Sequence, residues 1–303
     1  VIYIDNKKVI ISELSLVVIT IIWGLGFPIT EIAINYGFGA NTIMVGRFLT
    51  ASILLTIVYF KRLKNINKEL LLYGIITGVF LFLGFYFQTL GNAFTTASKN
   101  GFITQLNIVF VPLLYFLFFK KKVDLYNVLS VIIAVIGMFV LAEVGLNVLH
   151  INIGDFYTFI CAIMVAFNVV TGSFFQKKYD FDPALFVLIN IYTAMVFSVI
   201  AMILFEEVPI LTMNNVWPLV FLGVLNTALG FLVQSYTLKI SIPTRVSLIV
   251  ALESVFSAIG SVILLQEVLG VSVLFGGSLI IFAVIFNEIK PFKKKKVVFD
   301  MEV

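Results

Sequence analysis

Cysteine and histidine occur once each, as Cys161 and His150, in a chain of 303 residues. One cysteine cannot close an internal disulfide, so the fold must rest on packing, and Cys161, inside an apolar stretch, reads as filler. A lone histidine in a loop makes no metal cluster. HExxH, a CxxC pair, GxSxG and GxxxxGK[ST] are all missing, which argues against a membrane enzyme or an ATP-driven pump. No cofactor is therefore expected. Charge is scarce as well: 12% of residues are Asp, Glu, Lys or Arg, against about a quarter in soluble proteins. No signal-peptide cleavage pattern follows the first apolar run, which ends in WGLGFPITE, so that run is expected to stay as a helix.

What fills the chain is hydrophobic, 61% of it, and the class this defines is membrane-embedded. Apolar runs fall at about 12–35, 41–60, 69–93, 98–119, 123–142, 153–176, 184–205, 215–238, 243–265 and 270–288. At roughly 20 residues per span, these predict an all-α polytopic membrane protein of ten transmembrane helices. The third and fourth runs are separated only by FTTAS.

The basic residues sort by loop. Lys7, Lys8, Lys61, Arg62, Lys64, Lys68, Lys120 to Lys122, Lys177, Lys178, Lys239, Lys290 and Lys293 to Lys296 fall on one side, whereas the opposite loops hold Glu143, Asp155, Glu206, Glu207 and Glu267. The positive-inside rule then places both termini in the cytoplasm of a cell whose plasma membrane holds the protein. It also accounts for the net charge of +4 without nucleic acid, because the basic tail, 291–303, meets an anionic lipid leaflet.

Sliding the chain on itself by 146 residues lays Gly230 over Gly84, Phe231 over Phe85 and Gln234 over Gln88, then, without a gap, Arg245 over Lys99, Ile249 over Ile103 and Phe256 over Phe110. Two five-helix units follow, 12–146 and 153–290. Five is odd, so the second enters the membrane from the opposite side, an inverted-topology repeat of the sort whose substrate sites lie where the halves meet.

Within that frame Glu253 lies over Asn107 near the middle of the ninth run. A carboxylate at that depth costs roughly 2.5–3.5 kcal/mol on insertion scales. Arg245, eight residues earlier, is about 12 Å away along the helix, so Glu253 must pair elsewhere, protonate or face water. It either serves transport or locks two helices. Lys99 and Arg245 head equivalent helices from opposite sides, each able to attract an anion at a cavity mouth or to snorkel to the interface, and Arg245 is also a candidate for a gate or ion pair. Glu31 and Arg47 are expected to form an ion pair near the outer ends of the first two helices, as gate or brace. Gln88, Gln234, Asn168, Asn190 and Asn226 are polar groups in spans, suited to substrate or helix contact. Trp23 opens WGLGFP, a loosened stretch that could bend, and Tyr86 and Tyr192 are candidate cavity aromatics. Glycines seven apart, Gly84 with Gly91 and Gly223 with Gly230, read as packing faces.

The stretches WGLGFPITEIAI, TTASKNGFITQLNIVFVPLLYFLFFKKK and PTRVSLIVALESVFSAIGSVILLQEVLG resemble the first, fourth and ninth helices of the EamA-type branch of the drug/metabolite transporter superfamily. The resemblance extends over essentially the whole chain. It implies alternating-access movement of small metabolites, often amino acids, with helices one to four and six to nine lining the path. By position it also implies roles for Glu253, Lys99, Asn107 and Trp23. The chain departs from that pattern at Ser254, where proline is usual, so a local kink is in question, and at AFNVVTGS in the sixth helix, which puts the substrate class in question.

These readings combine into a secondary transporter for a small-molecule substrate, an amino acid or related compound, with proton coupling open. A monomer is expected, with a homodimer as the alternative. The competing readings are a broad efflux carrier for amphiphilic compounds and a membrane scaffold.

Overall fold

The computed structural model describes residues 6–120, 122–141, 152–206, 212, 215–268 and 270–289. Glu143, His150, Glu207, Lys121, Lys290, Lys293 to Lys296, the end of the first unit at 146 and the 291–303 tail lie outside the described residues.

The described chain is helical: α1 Asn6–Asn35, α2 Ala40–Tyr59, α3 Lys68–Asn92, α4 Ala97–Phe119, α5 Leu125–Leu141, α6 Ile153–Lys178, α7 Pro183–Phe205, α8 Trp217–Ile240, α9 Pro243–Leu265 and α10 Ser272–Ile289. Eight are long and apolar enough to cross a membrane, and α5 and α10 are shorter apolar helices, consistent with about ten spans. The short 93–96 connection does separate α3 from α4: Asn92 ends one helix, and Thr96 caps the next by accepting from Lys99 N.

α1 packs on α9 and α8, α4 on α6, α3 on α6 and α7, and α2 on α7 and α8. α5 and α10 pair mainly with one another at the side, sharing a cluster of Ala134, Met138, Ile280 and Ala283. Many large apolar side chains point outward, such as Ile57, Leu117, Ile203 and Phe205. Lipid would bury that surface.

Two helices are interrupted near their centres. In α4 the chain tightens at Gln105 and Leu106, whose N–H groups donate to Phe102 O and Ile103 O at 3.1 Å each, the i→i+3 pattern of a 3₁₀ turn. In α9 the break is at Ala251, where Ser254 Oγ donates back to Ala251 O at 2.7 Å. The irregularity is present with no proline there, and Ser254 bonds to the Ala251 carbonyl through both its N–H and its hydroxyl. Gln105 and Ala251 coincide under the shift of 146 residues. WGLGFP, by contrast, is regular helix through Pro28, because its glycines accommodate neighbours instead of a bend. A Cβ on Gly26 would run into the Asn226 amide, and one on Gly230 into the Trp23 indole.

A third irregularity is the π-helical stretch Leu222–Leu229 of α8. Single π turns inside α-helices concentrate at functional sites. This one presents Asn226 and Thr227 side by side to α1 and α2.

Candidate substrate site

A cavity lies at the centre of the bundle, with about 730 Å³ of unfilled space including its mouth. That is within the range of small-molecule sites. Seven helices line it: α1 through Trp23, Phe27 and Thr30; α2 through Arg47; α3 through Phe85 and Gln88; α4 through Gln105 and Asn107; α6 through Asn168; α8 through Asn226 and Gln234; α9 through Ser247 and Glu253. A smaller cavity, reached by α7 through Phe186 and Asn190, shares Leu81, Asn168, Phe231 and Gln234 with it. α5 and α10 contribute to neither.

Glu253 is 8% exposed and stands in the first turn after the α9 break. Gln105, at the α4 break, donates from Nε2 to Glu253 Oε2 at 2.8 Å. The Gln105 carbonyl in turn accepts from Asn107 Nδ2 at 3.3 Å, and the same amide group donates to Thr104 O at 2.9 Å. The two breaks thus meet through a chain of amides that holds one carboxylate oxygen. Oε1 has no donor among the described residues.

Arg47 is 2% exposed. Its Nε donates to Thr227 Oγ1 at 3.1 Å and its Nη2 to Asn226 Oδ1 at 2.5 Å, while its guanidinium carbon lies 4.0 Å from the Phe85 ring centre. The expected Glu31–Arg47 ion pair is not formed. Arg47 lies about 10 Å into α2 at 1.5 Å per residue and turns to the α8 π segment, whereas Glu31 accepts from Ala97 N at 3.2 Å, at the head of α4. Equal depth along two helices does not fix which way their side chains face. Arg47 and Glu253 line the same cavity without an ion pair between them.

Trp23 donates from Nε1 to the Asn226 carbonyl at 2.7 Å, and Asn226 Nδ2 donates to Ile22 O at 3.2 Å. Asn226 therefore ties α8 to both α1 and α2. Gln88 and Gln234, which coincide under the shift of 146 residues, both face the cavity. Tyr86 and Tyr192 line neither cavity; Tyr192 is exposed and shares a 2.7 Å hydrogen bond with Thr56.

The two helix-head cations are engaged at opposite ends of the bundle instead of lining the cavity. At the end that carries the acidic loops, Lys99 Nζ meets Asp155 Oδ2 at 2.6 Å. Beside it Ser98 donates to Glu267 Oε2 at 2.5 Å and Thr95 to Asp155 Oδ1 at 2.9 Å. At the basic end Arg245 Nη2 meets Glu13 Oε2 at 2.9 Å, and Ser241 donates to Glu13 Oε1 at 2.8 Å. Arg245, a candidate for a gate or ion pair, is thus in an ion pair with Glu13, and Lys99 is paired with Asp155 outside the cavity lining. Each partner lies in the first turns of α6 or α1, where the sequence gives only an isolated acidic residue. Gln105 also escapes the sequence reading; its signal is its place in the TQLN cluster beside Asn107.

A helical membrane protein whose breaks and buried charges converge on one central cavity has the build of a membrane transporter, and the comparisons agree. The sequence model of the EamA-like transporter family matches residues 10–142 and 152–288. The chain belongs to that family, within the drug/metabolite transporter superfamily. An uncharacterized transporter of Archaeoglobus fulgidus is 26% identical over 293 residues, 94% of this chain and 88% of the relative. The uncharacterized transporter YoaV of Bacillus subtilis is 23% identical over 291 residues, 94% of this chain and 98% of YoaV. A protein of known crystal structure shares the fold with a TM-score of 0.72 at 13% identity, over 90% of this chain and 96% of that one.

Proposed function

We propose that this transporter moves a small metabolite, an amino acid or related compound, through the central cavity by alternating access between two inverted five-helix units. The observation that carries the reading is the pair of closures at opposite ends of one cavity: Lys99–Asp155 joins the heads of α4 and α6, and Arg245–Glu13 joins the heads of α9 and α1. Under the shift of 146 residues, Lys99 answers Arg245, α4 answers α9 and α6 answers α1. Two latches between corresponding helix pairs on opposite faces, with acidic partners one helical turn out of register, are what a carrier needs to open one end while the other stays shut. The positive-inside distribution puts the Arg245 latch on the cytoplasmic side of the cell membrane, with both termini.

Glu253 receives the substrate's amino group, a proton, or each in turn. It is a buried carboxylate with one oxygen held by Gln105 and the other open to the cavity that Arg47 and Asn107 also face, and an ionisable group in that setting is a functional one by default. The test is flux of labelled amino acids into liposomes containing the purified protein across a pH series, with Glu253→Gln alongside. We expect the substitution to reduce flux at least about tenfold, the loss of one charged hydrogen bond. Normal flux of the variant at every pH would overturn the role given to Glu253.

One observation favours broad efflux instead: Trp23, Phe27, Phe80, Phe85 and Phe231 wall the cavity, an adaptable aromatic surface. Ethidium flux that no amino acid inhibits would decide for that reading. No flux of any compound would favour a scaffold.

A further inference from the structure

We infer that Arg47, set by the π-helical turn of α8, is the group that binds the substrate's carboxylate in the cavity that Glu253 also lines. The inference rests on the transport reading above and adds the site's second pole.

Arg47 is among the most deeply buried side chains of the protein, yet its two hydrogen-bond partners, Asn226 Oδ1 and Thr227 Oγ1, are neutral. They orient the guanidinium without cancelling its charge. Of its five N–H groups, those on Nη1 have no acceptor among the described residues, although the side chain lines the cavity. The Phe85 ring against the guanidinium carbon at 4.0 Å blocks one face and leaves the planar edge for a ligand. That edge matches a carboxylate in two parallel hydrogen bonds, which a lysine cannot reproduce.

A role confined to bracing α2 against α8 leaves the charge unexplained, because a buried cation is costly in a membrane interior and an uncharged donor would meet Asn226 as well. Glu253, which lines the same cavity, also keeps one oxygen open. The two charges cancel overall but do not touch. A zwitterion that spans them completes both, whereas a simple amine or a simple acid leaves one charge buried and unanswered. The aromatic walls complete the description: the ligand is a zwitterion with an apolar or aromatic side chain.

The test begins with wild-type protein. Purified transporter in detergent is screened for binding against the twenty proteinogenic amino acids, and the tightest is compared with its own amide and its own deaminated acid. We expect both analogues to bind about 10–100-fold more weakly, one charged hydrogen-bonded contact each. Arg47→Gln should bring the amino acid down to the affinity of its amide, and Glu253→Gln down to that of the deaminated acid. An amide that binds wild type as well as the amino acid overturns the inference, and this comparison stands even if Arg47→Gln fails to fold. Ethidium flux in liposomes that no amino acid inhibits also overturns it while leaving transport intact. Absence of binding and flux for every probe removes the transport reading together with it.

Discussion

Asn226→Ala probes the centre of the molecule. Asn226 Oδ1 accepts from the buried Arg47 at 2.5 Å and its Nδ2 donates to Ile22 O at 3.2 Å. A hydrogen bond to a charged group contributes about 1.5–3 kcal/mol, and an uncharged interhelical one in a membrane protein about 0.6 kcal/mol. Truncation should therefore destabilise the fold by about 2–3.5 kcal/mol, with Arg47 losing its better acceptor. Asn168→Ala is the matched control: it also faces the cavity but donates a single bond, to Thr77 O at 3.0 Å, and should cost only about 0.6 kcal/mol. Asn226→Asp keeps the acceptor and adds an opposing charge, so it should lie closer to wild type than Asn226→Ala does. Reversible unfolding in mixed detergent micelles, titrated with SDS, gives all three values. Equal losses for Asn226→Ala and Asn168→Ala would refute the view that the α8 π turn is the hub joining α1, α2 and α8.

Two further outcomes follow from the closures and a third from the cap of α2. In a Cys161→Ala background with Thr104→Cys as a cavity reporter, Asp155→Asn should speed labelling by a membrane-impermeant thiol reagent applied at the acidic end, and Glu13→Gln at the basic end; the same effect from both sides would undo the assignment of one latch to each face. Lys99→Ala should leave ligand selectivity unchanged and mimic Asp155→Asn in the labelling assay, because Lys99 holds Asp155 at 2.6 Å and lies outside the cavity lining; a lost preference for carboxylates would restore Lys99 as a ligand group. Glu206→Ala should lower stability by about 1 kcal/mol, since its carboxylate accepts from Asn41 N at 2.7 Å and Thr42 N at 2.9 Å to cap α2; an unchanged unfolding midpoint would show the cap to be replaceable.

The sequence by itself determined the membrane class, the positions of about ten helices and the presence of Glu253, Asn107, Gln88, Gln234 and Trp23 as polar or anchoring groups within them, all of which line the central cavity. These properties live in runs of residues: a span must be apolar along its whole length, and a polar residue within it stands out wherever the helix packs. Partners were not legible in the same way. The pairs Arg47 with Asn226, Glu253 with Gln105, Lys99 with Asp155 and Arg245 with Glu13 each join different helices, and one residue of rotation about a helix, 100°, sends a side chain to another neighbour. Sequence depth put Arg47 beside Glu31, and only the packing of α2 against α8 decided that it faces the cavity. The breaks in α4 and α9 were hidden for a related reason. They carry no glycine or proline, and the hydroxyl and amide bonds that accompany them, Ser254 to Ala251 O and Asn107 to Thr104 O, depend on how the formed helices pack.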